Sequence, residues 1–312
     1  MARIREAIWP LVGLAAVAFS SWLLYKELRG LALADVVAAW EAISASRWGL
    51  AILSTALAYG ALAWYDQIAL KHLRRRLSWR FVGAVSFVTY ALSHNIGASV
   101  VSGAVVRYRA YSTKGLSAAE IGVVVAFTSI TFTLGALLLG GLTLLIEPAL
   151  LARWIAAPPW AAKAAAVALL IAPWLYMLGA LLHFRPARIG GFRLIYPRPP
   201  IAARQMIVGP FELIGAAGII YFALPPASNP GFVIVLGVFL ASFSAALISH
   251  APGGLGVLEF TFLKAMPDVP PAELMAALLT FRLLYLIAPL VVSLIAVAVF
   301  ENRRLMALRR GG

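Results

Sequence analysis

Residues 243–259 read FSAALISHAPGGLGVLE, and residues 87–97 read FVTYALSHNIG. Each is an apolar run that breaks at Ser-His and a glycine-containing turn: Asn95-Ile96-Gly97 in the first, Ala251-Pro252-Gly253-Gly254 in the second. The two Ser-His pairs are 156 residues apart, half of the 312-residue chain. Further on, Ala119-Glu120 and Ala272-Glu273 each open a long apolar run. The similarity predicts a duplicated unit whose middle is an interrupted helix.

The surroundings make that unit a membrane one. Of the chain, 62% is hydrophobic and 12% charged, with mean hydropathy +0.92. Soluble domains carry about 25% charged residues. These values exclude a soluble enzyme, a disordered chain and a receptor with a sizeable ectodomain. Apolar stretches run over 7–25, 48–70, 81–106, 121–146, 161–184, 203–224, 231–266 and 272–300, and a run of about 20 apolar residues spans the hydrocarbon core. The stretch at 7–25 follows Arg3 and Arg5 like a signal peptide. Lys26, Glu27 and Arg29 separate it from Ala32-Leu33-Ala34, so it reads as a retained helix.

The net charge of +14 lies in short clusters between apolar runs, the pattern of cytoplasmic loops and not of a nucleic-acid surface. Arg3 and Arg5, then 71–80 with Lys71, Arg74, Arg75, Arg76 and Arg80, then 185–204 with Arg185, Arg188, Arg193, Arg198 and Arg204, and finally Arg303, Arg304, Arg309 and Arg310 all belong inside. Three apolar stretches separate 71–80 from 185–204, and three more separate 204 from the C-terminus. An odd number of crossings cannot join two loops on one side. One stretch in each set must therefore return to its own face, and the broken ones at 81–106 and 231–266 are the candidates. Interrupted backbone at membrane depth is tolerated where protein covers it or where it lines a cavity.

The expected fold is an all-α polytopic membrane protein: about six full transmembrane helices plus two opposed re-entrant hairpins in an inverted repeat. The expected units are 1–47, a first repeat at 48–147, a linking helix and basic loop at 148–202, and a second repeat at 203–312. Helix-breaking turns that meet near the midplane form the site in many transporters of this plan. The loops at 147–160 and 264–273 fall outside.

Candidate functional residues follow from the breaks and from charges in apolar runs. His94 and His250 sit at the hairpin tips, where an imidazole can cap a broken helix, meet a headgroup or relay a proton. The glycines after Pro252 expose backbone N–H groups, and a half-helix starting near Gly256 would turn its positive end toward an anion such as phosphate. Intramembrane ionisable groups are costly and so mark function. Glu212 and Arg282 are in that position and either pair or flank a polar cavity, and Glu259 follows the glycine turn. Asp66, five residues from Lys71, reads as reaching the interface. Arg107 and Arg109, with Tyr108 and Tyr111, read either as an ordinary basic flank or as collectors of lipid phosphate. Cysteine is absent, which excludes disulfides and cysteine-ligated metals. No catalytic set, metal site or cofactor motif is expected.

Ser93-His94-Asn95-Ile96-Gly97, Ser102-Gly103 and Arg107-Tyr108-Arg109, followed by Pro252-Gly253-Gly254-Leu255-Gly256 with Leu258-Glu259, resemble the membrane region of the lysylphosphatidylglycerol synthase/flippase family (the multiple peptide resistance factor). The resemblance spans about 40 to 300. It implies a bacterial inner-membrane flippase that carries aminoacylated phosphatidylglycerol, or a related lipid, from the inner to the outer leaflet. Family members of full length also carry a cytoplasmic aminoacyl-transferase domain; here the chain ends at Gly312, so lipid synthesis is not expected of it. On this reading the substrate-binding set is His94, Asn95, Ser102, Arg107, Arg109, Glu212, His250, Gly253, Gly254, Glu259 and Arg282. The expected partners are a phospholipid substrate and the bilayer, without nucleic acid; a separately encoded lipid synthase and a homo-oligomer stay open. The rival readings are an enzyme acting on a polyprenyl-phosphate-linked substrate and a non-transporting partner of a separate synthase.

Overall fold

The computed structural model describes residues 32–96, 99–184, 187–189, 192–194, 196–249 and 251–298. Among them the fold is helical apart from a short antiparallel hairpin, Ala187–Ile189 with Phe192–Leu194, inside the basic 185–204 connection. The helices are α1 Leu33–Glu41, α2 Ala45–His72, α3 Trp79–Ile96, α4 Ser99–Tyr111, α5 Ala118–Ile146, α6 Pro159–Leu181, α7 Pro199–Ala223, α8 Phe232–Ser249, α9 Val257–Ala265 and α10 Pro271–Ala298. Six are long and apolar enough to cross a membrane: α2, α5, α6, α7, α8 and α10. The chain is a multi-pass membrane protein.

Five of these six match the full spans expected from the sequence; the span at 7–25 lies outside the described residues. The sixth is α8, expected only as one arm of a hairpin. It keeps 18 helical residues, about 27 Å at 1.5 Å per residue, before Pro252 and the glycines stop it. The returning arm α9 has nine residues.

Polar contacts sort the loops to two ends. At one, Arg75 Nε and Nη2 donate to the Glu120 carboxylate at 2.7 and 3.1 Å, which raises the Arg75 pKa above its ordinary value. Glu120 also closes a capping box with Ser117 that starts α5. At the other end, Arg47 donates to the Phe222 and Leu224 carbonyls, Arg153 pairs with Asp268 at 3.2 Å and donates to the Ala265 carbonyl at 2.8 Å, and the Ser228 hydroxyl donates to Glu273. Of the loops expected inside, 71–80 and 107–120 thus share one end, and 147–160 and 264–273 share the other; the two termini lie outside the described residues.

Helix hairpin α3–α4 begins and finishes at the first end: Trp79 lies against Trp64, and Tyr111 reaches Asp66 near the foot of α2. Hairpin α8–α9 begins and finishes at the second, where Gly237 of α8 lies against Leu150 and Ala265 closes α9 beside Arg153.

Small residues let the central helices touch. A Cβ on Gly135 of α5 would lie 2.4 Å from the Gly209 carbonyl of α7, and one on Gly215 would lie 2.7 Å from the Ser54 carbonyl of α2. Without a hydrophobic force between helices in lipid, such close backbone packing does much of the association. Gly135→Val is therefore expected to destabilise by about 1–3 kcal/mol, read as a lower thermal midpoint in detergent. Gly60→Val, where a Cβ meets nothing within 4 Å, should leave the midpoint nearly unchanged.

Candidate functional site

Both hairpin tips converge on one turn of α10. The tip of α8–α9 is built by glycines with left-handed backbone, Gly253 (φ 59°), Gly254 (φ 65°) and Gly256 (φ 77°). A side chain would strain each of these positions, so the Pro-Gly-Gly-Leu-Gly spelling is required by the turn. Its carbonyls face Arg282, whose Nη1 donates to the Gly253 oxygen at 3.0 Å and Nη2 to the Gly254 oxygen at 3.4 Å. The same guanidinium donates through Nε to Glu259 Oε1 at 2.5 Å. The other carboxylate oxygen, Glu259 Oε2, accepts the Gly256 N–H at 2.9 Å. The half-helix expected to offer its start to an anion thus has a carboxylate of its own at that amide.

Arg282 opens a π-helical turn, Arg282–Ile287. Such widened turns occur mostly as single turns inside α-helices, frequently at functional sites. Its carbonyls accept donors from two other helices: the Tyr59 hydroxyl of α2 donates to the Tyr285 oxygen at 2.9 Å, and the Asn95 amide donates to the Leu286 oxygen at 3.1 Å. Asn95 also bonds the Ala91 carbonyl at 2.8 Å near the end of α3. His94 stacks on the Tyr285 ring, with centroids 5.1 Å apart, and its Nδ1 is buried without a hydrogen-bond partner. The Tyr285 hydroxyl donates to Glu212 Oε1 at 2.5 Å, while Glu212 Oε2 has no partner. Glu212 and Arg282 do not pair with each other: Arg282 takes Glu259, and Glu212 takes a tyrosine.

A second polar cluster lies toward the first end. Arg107 of α4 donates to both oxygens of Asp66, at 2.7 and 3.2 Å, and the Tyr111 hydroxyl donates to Asp66 at 2.6 Å. Asp66 is fully buried and Arg107 is 4% exposed. The guanidinium also lies 4.9 Å from the centre of the Tyr90 ring. Gly103 permits the approach, since a Cβ there would meet Arg107 Nη1 at 3.3 Å.

The structure therefore joins His94, Asn95, Gly253, Gly254, Glu259 and Arg282 around one turn and attaches Glu212 through Tyr285. Arg107 belongs to the separate Asp66 cluster, and Arg109 is exposed on α4. His250 and the Ser102 side chain lie outside the described residues. Asp66 is not at the interface as its spacing from Lys71 suggested; it is the buried counter-ion of Arg107. Tyr111, read with Arg107 as a flank or a phosphate collector, instead bonds Asp66, and sequence reasoning missed Tyr59, Tyr65 and Tyr285. Charge alone marks Asp66 as needing a counter-ion but does not say which basic residue supplies it. Tyrosine is too common near membrane interfaces for these three to stand out.

The fold defines a polytopic helical membrane protein in which two helix hairpins meet at a buried polar turn. The chain is a member of the family described as the lysylphosphatidylglycerol synthase TM region, which matches residues 11–293. It is 29% identical over 302 residues to an uncharacterized protein of Synechocystis sp., covering 96% of this chain and 93% of that one. It is 32% identical over 259 residues to inner membrane protein YbhN of Escherichia coli, covering 82% and 79%. Similarity to phosphatidylglycerol lysyltransferase of Staphylococcus aureus is 23% over 291 residues, which spans 87% of this chain but 31% of that protein.

Proposed function

We propose that this protein translocates a phospholipid, lysylphosphatidylglycerol or a lipid of related headgroup, from the inner to the outer leaflet without altering it chemically. The observation that carries the reading is the convergence of both hairpin tips on the Arg282 turn. Two interrupted hairpins that enter from opposite ends and touch inside an apolar shell supply a seam. Parting the tips would expose Arg282, Asn95, Glu259 and the glycine carbonyls to a headgroup, while the acyl chains stay in lipid. The seam is polar enough for phosphate and amine, and interrupted backbone is at home where it lines such a cavity. The lipid class is taken from family membership and from the name of the staphylococcal relatives.

In this reading the hairpins are re-entrant, 48–147 and 203–300 are inverted repeats, and the membrane is the bacterial inner membrane with both termini cytoplasmic. The absence of cysteine makes the sidedness direct to test. Ser112→Cys and Asp268→Cys place single thiols on exposed loops at the two ends. An impermeant thiol reagent added to intact cells is expected to label position 268 and to reach position 112 only after the membrane is opened. Equal labelling from one side would overturn the opposed arrangement. The activity itself is tested by leaflet exchange in proteoliposomes, where headgroup-selective movement is expected and recovery of a chemically altered lipid would favour an enzyme.

A further inference from the structure

Among the described residues three carboxylates are buried, and only two of them are neutralised. Asp66 has Arg107 and Tyr111, and Glu259 has Arg282 and the Gly256 N–H. Glu212 is 1% exposed, accepts one hydrogen bond from Tyr285, and among the described residues no lysine, arginine or histidine forms an ion pair with it. Its second oxygen has no partner at all.

Among the described residues, the groups placed beside it supply no positive charge. From α2 come the tyrosines Tyr59 and Tyr65, and from α10 comes Tyr285. Arg282, about one helical turn before Tyr285 on α10, is committed to Glu259 and two carbonyls. From the tip of α3, His94 stacks on the far partner of this bond, the Tyr285 ring, and its Nδ1 has no hydrogen-bond partner; on α8 the buried Ser242 is uncharged. On α5 the buried polar groups are the uncharged Thr128, Thr131 and Thr143, and on α6 Tyr176 is taken by Gln205. An ionised carboxylate with no counter-ion in a low-dielectric interior is strongly disfavoured against its neutral form.

We propose that Glu212 is a proton-binding site, protonated at Oε2 while the hairpin tips are packed together. When the tips part and water reaches the seam, the O–H bond breaks and the proton passes to water, leaving the carboxylate. The cycle couples a proton to each opening; that role rests on the translocation reading, whereas the protonation itself does not.

The test is infrared spectroscopy of the full chain reconstituted in lipid at neutral pH, with no transported lipid added. A protonated-carboxyl stretch that shifts in heavy water is expected in the wild type, retained in Glu41→Gln and lost in Glu212→Gln. The glutamine keeps an oxygen for the Tyr285 hydroxyl; if that variant fails to fold, Glu212→Asp should displace the band. Identical spectra of wild type and folded Glu212→Gln would overturn the proposal. In leaflet exchange, an imposed proton gradient is expected to change the wild-type rate and to leave Glu212→Gln unmoved. A wild-type rate indifferent to the gradient would overturn the coupling. The band without movement of any lipid would uphold the proton site and sink the translocation reading.

Discussion

Asp66→Asn is expected to cost about 3–5 kcal/mol of stability, because it leaves the Arg107 guanidinium charged and buried beside a neutral amide. Two charge-assisted hydrogen bonds are weakened and the Tyr111 hydroxyl loses its anionic acceptor. The readout is the thermal midpoint in detergent and the yield of monodisperse protein, both falling sharply. The double variant Asp66→Leu with Arg107→Met should recover much of the loss, since replacing a whole buried pair by apolar residues is often neutral. A single variant with an unchanged midpoint would contradict the assignment of this pair as the clamp between α4 and α2.

Arg282→Ala is expected to have the larger effect on transport. It removes the one side chain that bonds the tip of α8–α9 at three points and leaves Glu259 without its counter-ion. Each hydrogen bond to a charged group contributes about 1.5–3 kcal/mol, and about 1.4 kcal/mol is a tenfold change. Lipid movement should therefore fall at least about tenfold, with faster amide exchange over 251–260. Arg282→Lys keeps the charge but loses the planar fork, so an intermediate rate is expected. Full transport in the folded alanine variant would remove Arg282 from the site.

These two pairs show where the chain could be read and where it could not. The break between α8 and α9 was legible because the glycines at 253, 254 and 256, after Pro252, are local requirements of a turn, visible without any tertiary contact. The grouping of loops at two ends was legible because basic clusters and an odd number of apolar runs constrain connectivity globally. Partner choice was not legible. Asp66 and Arg107 are 41 residues apart and meet only because α4 returns to the foot of α2. Arg282 had two acidic candidates in apolar runs, and it meets Glu259 because the tip of α8–α9 packs against its turn of α10. The span length of α8 was hidden for a simpler reason: a Pro-Gly break marks where a helix stops but not how deep it has gone.

The most direct measurement is leaflet exchange by the purified protein in proteoliposomes. Tail-labelled lysylphosphatidylglycerol, phosphatidylglycerol and phosphatidylcholine would be compared, with leaflet position read by a reagent that cannot cross. The account predicts movement that depends on the headgroup, is absent from empty liposomes and is reduced by Arg282→Ala. Folded protein that moves none of the three lipids, or all three at the rate of empty liposomes, would contradict it.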